Sequence, residues 1–233
     1  MRRTLLTILA LAAGLAGCWA IQRFELLDPY YRLVLTYLGI NIILTVSLNL
    51  VNGYMGEFSV GHAGFMAVGA YASSAITVNL VPAAWLAWSF PVAVAAGGFV
   101  AAVVGLVVAI PSFRIRGDYL AIVTLAFCMI VKSAIENIPA LGGPQGMMGM
   151  ELLTSLPWVY AWVVVTLWII RNLVHSKYGR GMAAIRNDEI VGELCGVRTR
   201  RVKIAAFVIS SFFAGVAGAL YAHLLQFINP RMF

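Results

Sequence analysis

The sequence predicts an all-α, polytopic helical membrane protein of about seven spans, and three observations carry that prediction. Hydrophobic residues make up 62% of the 233 residues and charged residues only 11%, with a mean hydropathy of +0.92; an ordinary soluble domain carries about 25% charged residues. Apolar runs near the ~20 residues needed to cross a bilayer recur along the whole length. The cations between those runs fall mainly on one side when the runs are taken as alternating spans. Spans are predicted at about 4–21, 33–51, 59–80, 84–110, 118–138, 157–174 and 204–228. The whole chain, 1–233, reads as one membrane-spanning domain with a polar loop at 175–203.

The first span opens on Arg2-Arg3, and its Leu15-Ala16-Gly17-Cys18 imitates a lipoprotein signal with its modified cysteine. A plain first span with a small-residue patch explains the same residues and agrees better with six further spans. The second ends at the short loop 52–58. In the third, Gly61-His62-Ala63-Gly64 and Gly69-Ala70 allow two readings: a helix broken over 59–72, as in transporters that bind substrate at midplane, or small residues that let helices approach closely. Close packing is the reading for the fourth and seventh spans. There Ala93, Gly97, Ala101, Gly105 and Ala109 form one four-residue stripe, and Ser210, Ala214, Gly218 and Ala222 another, beside Ser211, Gly215 and Ala219.

The fifth span follows Arg114-Ile115-Arg116-Gly117-Asp118, where two arginines anchor the helix and Asp118 can cap it. It contains Lys132 and Glu136, one turn apart. Lys132 lies about 21 Å from Asp118 at about 1.5 Å per residue, near enough to the surface to snorkel as an ion pair with Glu136. The loop Leu141-Gly-Gly-Pro-Gln-Gly146 allows unusual backbone angles. It reads as a turn, an entrance lining or a partner contact.

With the amino terminus inside, twelve Lys and Arg lie in inner segments and three, Arg23, Arg32 and Arg231, in outer ones. That positive-inside bias fixes the predicted orientation, with the amino terminus and 175–203 cytoplasmic. The net charge of +7 therefore has a topological cause, and no nucleic-acid partner is expected. Cys18, Cys128 and Cys195 have neither metal-like spacing nor an even count for a disulfide framework. His62, His175 and His223 lie far apart, and no zinc-protease pair, nucleophile elbow or Walker-type loop occurs. No catalytic residue, metal or cofactor is predicted, and a lone His62 reads as a packed hydrogen-bonding residue.

The polar interruption 175–203 is the most informative segment. It holds seven of the sixteen Lys and Arg. Asn187-Asp188-Glu189 reads as a helix start and Gly196 as its stop, with Ile190, Val191 and Leu194 on one face between them and Val197 just beyond. The residues allow either a docking helix for a cytoplasmic partner or a solvated connector.

Several blocks together resemble the M-type permeases of branched-chain (Leu/Ile/Val) amino-acid ABC importers. They are Gly61-His-Ala-Gly-Phe-Met-Ala-Val-Gly-Ala-Tyr71, Arg116-Gly-Asp-Tyr-Leu-Ala-Ile-Val-Thr-Leu125, Gly142-Gly-Pro-Gln-Gly146, Tyr178-Gly-Arg-Gly-Met-Ala-Ala-Ile-Arg-Asn-Asp-Glu189 and Ala214-Gly-Val-Ala-Gly-Ala-Leu-Tyr221. Their order and spacing match over roughly 35–230. The resemblance implies that Gly181, Arg186, Asp188, Glu189, Ile190, Val191, Leu194 and Gly196 belong to the segment that couples to separate ABC ATPase subunits. It also implies a homologous second permease subunit, an external substrate-binding protein, a bacterial-type inner membrane and import of branched-chain or other hydrophobic amino acids. Gly61, His62, Phe65, Tyr71 and Tyr119 are the expected substrate-pathway residues. Two departures stand out. The family continues with further membrane helices after Ile228-Asn229-Pro230, so the chain is expected to be a fragment or a truncated product, unable to transport alone. The coupling segment also reads Gly192-Glu-Leu-Cys195 where an alanine-richer run is usual.

Permeases for urea and short amides share the pattern and remain an alternative cargo class. An ion-driven secondary transporter would want buried acids at midplane, whereas Glu57 and Glu136 are placed near the surfaces. A cysteine introduced at Ser176 is expected to resist membrane-impermeant thiol reagents applied to intact cells. Ready labelling there would invert the topology.

Overall fold

In hydrocarbon every backbone amide must find its partner within the chain, so apolar segments of this length become helices. The computed structural model describes residues 2–25, 27–79, 82, 86–113 and 119–233. Nine helices occur among them: α1 (Arg2–Arg23), α2 (Pro29–Asn49), α3 (His62–Asn79), α4 (Leu86–Ser112), α5 (Tyr119–Asn137), α6 (Leu156–Val174), α7 (Lys177–Asn187), α8 (Glu189–Leu194) and α9 (Thr199–Leu225). A wider π-type turn, Leu50–Tyr54, extends α2. Proline sits in the first turn of α2 and of α6, where its missing N–H costs nothing. A two-residue antiparallel pair, β1 (Met147–Met148) with β2 (Phe227–Ile228), ties the α5–α6 loop to the segment after α9.

Helices α3, α4 and α9 form the centre. Both predicted small-residue stripes serve there as packing surfaces, and their glycines mark where backbones nearly touch. A Cβ on Gly69 would strike the Gly215 backbone, and one on Gly218 the Met66 carbonyl. Gly97 faces the Gly69 carbonyl, and Gly105 faces Ser211. These contacts also set direction. Gly69 lies level with Gly215, and Thr77 with His223, so α3 and α9 run parallel; α4 runs against them. Helix α2 opposes α9, through Ser47 with Ser210 at one end and Tyr37 with Tyr221 at the other. Phe65 stacks on Phe127 (4.7 Å), which sets α5 beside α3. As a result, segments 50–61 and 175–203 gather at one end of the bundle. Segments 138–155 and 226–233 gather at the other.

Two expectations need correction, the broken helix at 59–72 and the Lys132–Glu136 pair. Among the described residues five helices are long and apolar enough to cross a membrane: Pro29–Tyr54, Trp88–Ser112, Leu120–Asn137, Leu156–Val174 and Thr199–Leu225. Helix α3, in the span expected at 59–80, is less apolar than these five because His62, Ser73, Ser74 and Thr77 dilute its apolar residues, and it runs the length of the bundle covered by α4 and α9. The span expected at 4–21 is a continuous helix, but side chains 2–10 lie outside the described residues. No break occurs within His62–Asn79. The helix is continuous from His62, and the irregular backbone lies just upstream, at 55–61.

Lys132 and Glu136 form no ion pair. Lys132 lines a cleft of about 100 Å³ against α3, with Gly64, Ala67 and Cys128, while Glu136 lines a depression under the 138–146 loop with Pro139 and Pro144. The proposed anchor and cap at Arg114, Arg116 and Asp118 lie outside the described residues. The glycine loop is a turn: Gly142, Gly143 and Gly146 have φ of 83°, 55° and 85°, a region that favours glycine.

Overpacking a tight helix contact costs about 1–3 kcal/mol. Gly69→Val is therefore expected to lower the yield of monodisperse, detergent-purified protein severalfold. Gly17→Ala, where a Cβ meets nothing within 4 Å, is expected to leave the yield unchanged. Equal yields from both variants would mean that the α3–α9 approach is not tight.

Candidate functional site

The segment between α6 and α9 is a two-helix unit. Ser176 opens α7, its hydroxyl accepting the Tyr178 amide at 3.1 Å. Gly179 and Gly181 are buried, the first against the Val174 carbonyl and the second against Val197 and Val202. Met182 and Ile185 are buried beside them. Helix α7 was not expected from the sequence, because its two glycines and three cations read as loop. Asp188 then turns the chain into α8, its carboxylate accepting the amides of Ile190 (2.8 Å) and Val191 (3.2 Å). Gly196, at φ 82°, provides the left-handed stop. Gly192 faces Ala184 and Ile185, so α8 lies across α7.

Helix α8 is anchored at both ends. Thr199 Oγ1 donates to Glu193 Oε1 (2.8 Å), joining its last turn to the start of α9. Lys203 Nζ donates to Glu189 Oε1 (2.8 Å) at its first turn and to Glu57 Oε1 (2.5 Å) from the α2–α3 linker. Lys203 is only 7% exposed. An unpaired charge in that position would be costly, and two carboxylates meet it. The linker itself is ordered: the Ser59 amide donates to Asn52 Oδ1 (3.2 Å), and Gly56, at φ 77°, lies against the Arg186 side chain. Sequence reasoning placed Lys203 among the loop cations and Glu57 near the surface. It found neither as a partner, because residues 146 positions apart leave no local pattern.

The face of α8 away from these anchors is apolar and open. Ile190, Val191 and Leu194 are 64%, 53% and 82% exposed. Lys177, Arg180, Arg186, Arg198, Arg200 and Arg201 are exposed around the same end of the molecule. Chemically, this is a rigidly mounted apolar ridge inside a cationic rim.

The residues expected along a pathway are mostly packed rather than open. Gly61 lies against Thr124. His62 Nε2 is 2.8 Å from Ser47 Oγ, as expected of a packed hydrogen-bonding histidine. Phe65 is buried between Phe127 and Phe207 (5.4 Å). Tyr71 is buried, and its hydroxyl donates to the Ile228 carbonyl (3.3 Å). Tyr119 begins α5, and its side chain lies outside the described residues. His223 is also buried: Nδ1–H donates to the Ala219 carbonyl (2.8 Å), which leaves Nε2 to accept from Thr77 Oγ1 (3.0 Å). Among the described residues no cluster of three His, Cys, Asp or Glu could hold a metal ion.

The described residues form a multi-pass helical bundle with a polar, two-helix unit at one end. The family model for the branched-chain amino acid transport system / permease component matches residues 30–233, and the chain belongs to that family. It is 33% identical to the high-affinity branched-chain amino acid transport system permease protein LivM of Escherichia coli K12, over 86% of this chain and 54% of that protein. The probable branched-chain amino acid transport permease protein LivM of Methanocaldococcus jannaschii is 26% identical, over 82% of this chain and 66% of that protein. Escherichia coli K12 LivH, a permease protein of the same description, is 23% identical over 81% and 68%. The chain thus spans about half the length of the Escherichia coli LivM it matches. No solved structure matches it.

Loss of a side-chain cap costs about 1 kcal/mol. Asp188→Ala is expected to fray α8 and speed hydrogen exchange at the Ile190 and Val191 amides about fivefold. Unchanged exchange there would mean that the anchors alone hold the helix.

Proposed function

We propose that the chain acts as permease in an ATP-driven importer of branched-chain or other hydrophobic amino acids in a bacterial-type inner membrane. The observation that carries this reading is the ridge of Ile190, Val191 and Leu194, exposed on a capped, anchored helix in a chain of this permease family. An isolated apolar ridge of this kind suits a cleft on another protein. The cationic rim suits an acidic border around that cleft. The ridge docks on separate ABC ATPase subunits, which bind and hydrolyse ATP; the chain itself has no Walker-type sequence. Gly181, Arg186 and Gly196 shape the mount, and Asp188 and Glu189 hold the first turn of α8.

A homologous second permease and an external substrate-binding protein complete the assembly, with membrane lipid around it. The amino terminus and the 175–203 loop face the cytoplasm, in accord with the positive-inside distribution. ATPase closure pushes on 180–197 and rocks the adjoining helices between inward and outward access. The substrate path follows the α3–α5 side, with Gly61, His62, Phe65, Tyr71 and Tyr119. Support for that placement is that α3 carries His62, Ser73, Ser74 and Thr77 inside the bundle and borders the Lys132 cleft.

Leu194→Asp places a charge at the ridge. Hot-spot contacts are worth about 2 kcal/mol or more, so docking is expected to weaken more than about tenfold. Co-purification of the ATPase should be lost while membrane abundance of the permease stays normal. Normal co-purification, with normal substrate-stimulated hydrolysis, would return the loop to a solvated connector.

A further inference from the structure

Six of the seven cations between His175 and Lys203 are exposed, as an ordinary basic loop would have them, and Lys203 is not. Its ammonium lies where three separate pieces of chain converge: the second turn of α9, which carries it, the first turn of α8 through Glu189, and the α2–α3 linker through Glu57. Glu57 is held in turn by a short, ordered loop. Its amide donates to the Val51 carbonyl (3.2 Å), and the Val60 amide, three residues on, donates to Thr124 Oγ1 of α5 (3.1 Å). The last turn of α8 is fixed to Thr199 independently. Stability alone does not explain this arrangement, since a buried ion pair is often no better than an apolar contact of the same volume. A buried charge with two partners does, however, fix geometry.

We propose that Lys203 is a positioning residue that joins α8, α9 and the α2–α3 linker into one rigid unit, so that displacement of α8 reaches α2, α3 and α9 together. This rests on the docking of α8 proposed above. Without the junction, α8 would still be capped by Asp188 and would still present its ridge, but its movement would be absorbed in the linker. Docking and transmission are therefore separable. The ridge residues serve the first, and Lys203 with Glu57 the second.

The test uses the full-length permease assembled with its second permease and ATPase in proteoliposomes and supplied with the substrate-binding protein, and reads leucine accumulated per ATP hydrolysed beside ATPase co-purification. Lys203→Met and Glu57→Gln are expected to retain the ATPase and its hydrolysis while leucine moved per ATP falls at least about fivefold, the lower range of ordinary coupling between sites. Lys203→Arg, which can bridge the same two carboxylates, is expected to restore most of the ratio. A merely structural role would lower abundance without changing that ratio. If Lys203→Met reduces membrane abundance, Glu57→Gln decides, because it leaves Lys203 paired with Glu189. An unchanged ratio in Glu57→Gln, with docking intact, overturns the junction alone. Retained co-purification in Leu194→Asp overturns the docking reading and the junction with it.

Discussion

Close approach of backbones along α3, α4 and α9 is the constraint on which the rest of the molecule depends. Within a bilayer, helices gain little from burying apolar side chains against one another, since lipid is equally apolar. Association rests on dense contact and on hydrogen bonds between helices. Gly69 against Gly215, Gly97 against the Gly69 carbonyl and Gly218 against Met66 supply that contact. The consequence is a sheltered place for α3, which carries too many hydroxyl and ring groups to face lipid comfortably. Three of its polar side chains are satisfied internally: Ser74 donates to the Ala70 carbonyl (2.8 Å), Thr77 meets His223, and His62 meets Ser47, while the buried Ser73 hydroxyl has no partner among the described residues. A helix of this composition is costly in hydrocarbon and inexpensive inside the bundle.

That constraint separates what was legible in the sequence from what was not. The four-residue stripes on α4 and α9 could be read directly, because a helical face repeats at that spacing. The glycines of α3 were ambiguous for the same reason. Glycine density suits either a break or a close contact, and only the neighbours decide. Gly64 faces Cys128 and Phe127, and Gly69 faces Gly215, so these two serve contact, and the helix continues through them. The start and stop of α8 were legible because a cap is local chemistry: one carboxylate, two amides and a glycine with positive φ. Helix α7 was not, since its stability comes from Met182 and Ile185 packing on residues elsewhere rather than from its own composition. The Lys132–Glu136 pairing failed for a related reason. One helical turn of separation permits an ion pair, but Lys132 lies in the cleft against α3 and Glu136 beneath the 138–146 loop.

The polar end of the molecule obeys a different rule from the bundle. Helix α8 has six residues, far fewer than an isolated helix needs to persist in water. It exists because Asp188 supplies the missing acceptors at its start and because Glu189 and Glu193 are held by groups on α9. Its orientation is consequently set by α9 together with α7, across which it lies. Since α9 is also the helix most enclosed by α2, α3 and α4, the exposed ridge and the bundle centre share one structural member. In the proposed reading this matters for mechanism. A partner that moves a flexible connector does work only on the connector, whereas a partner that moves α8 acts on the base of the helix against which α3 is packed. A change of access at α3 then requires no long chain of intermediaries: it needs only that the contact between α8 and α9 be stiffer than the contacts α3 must rearrange.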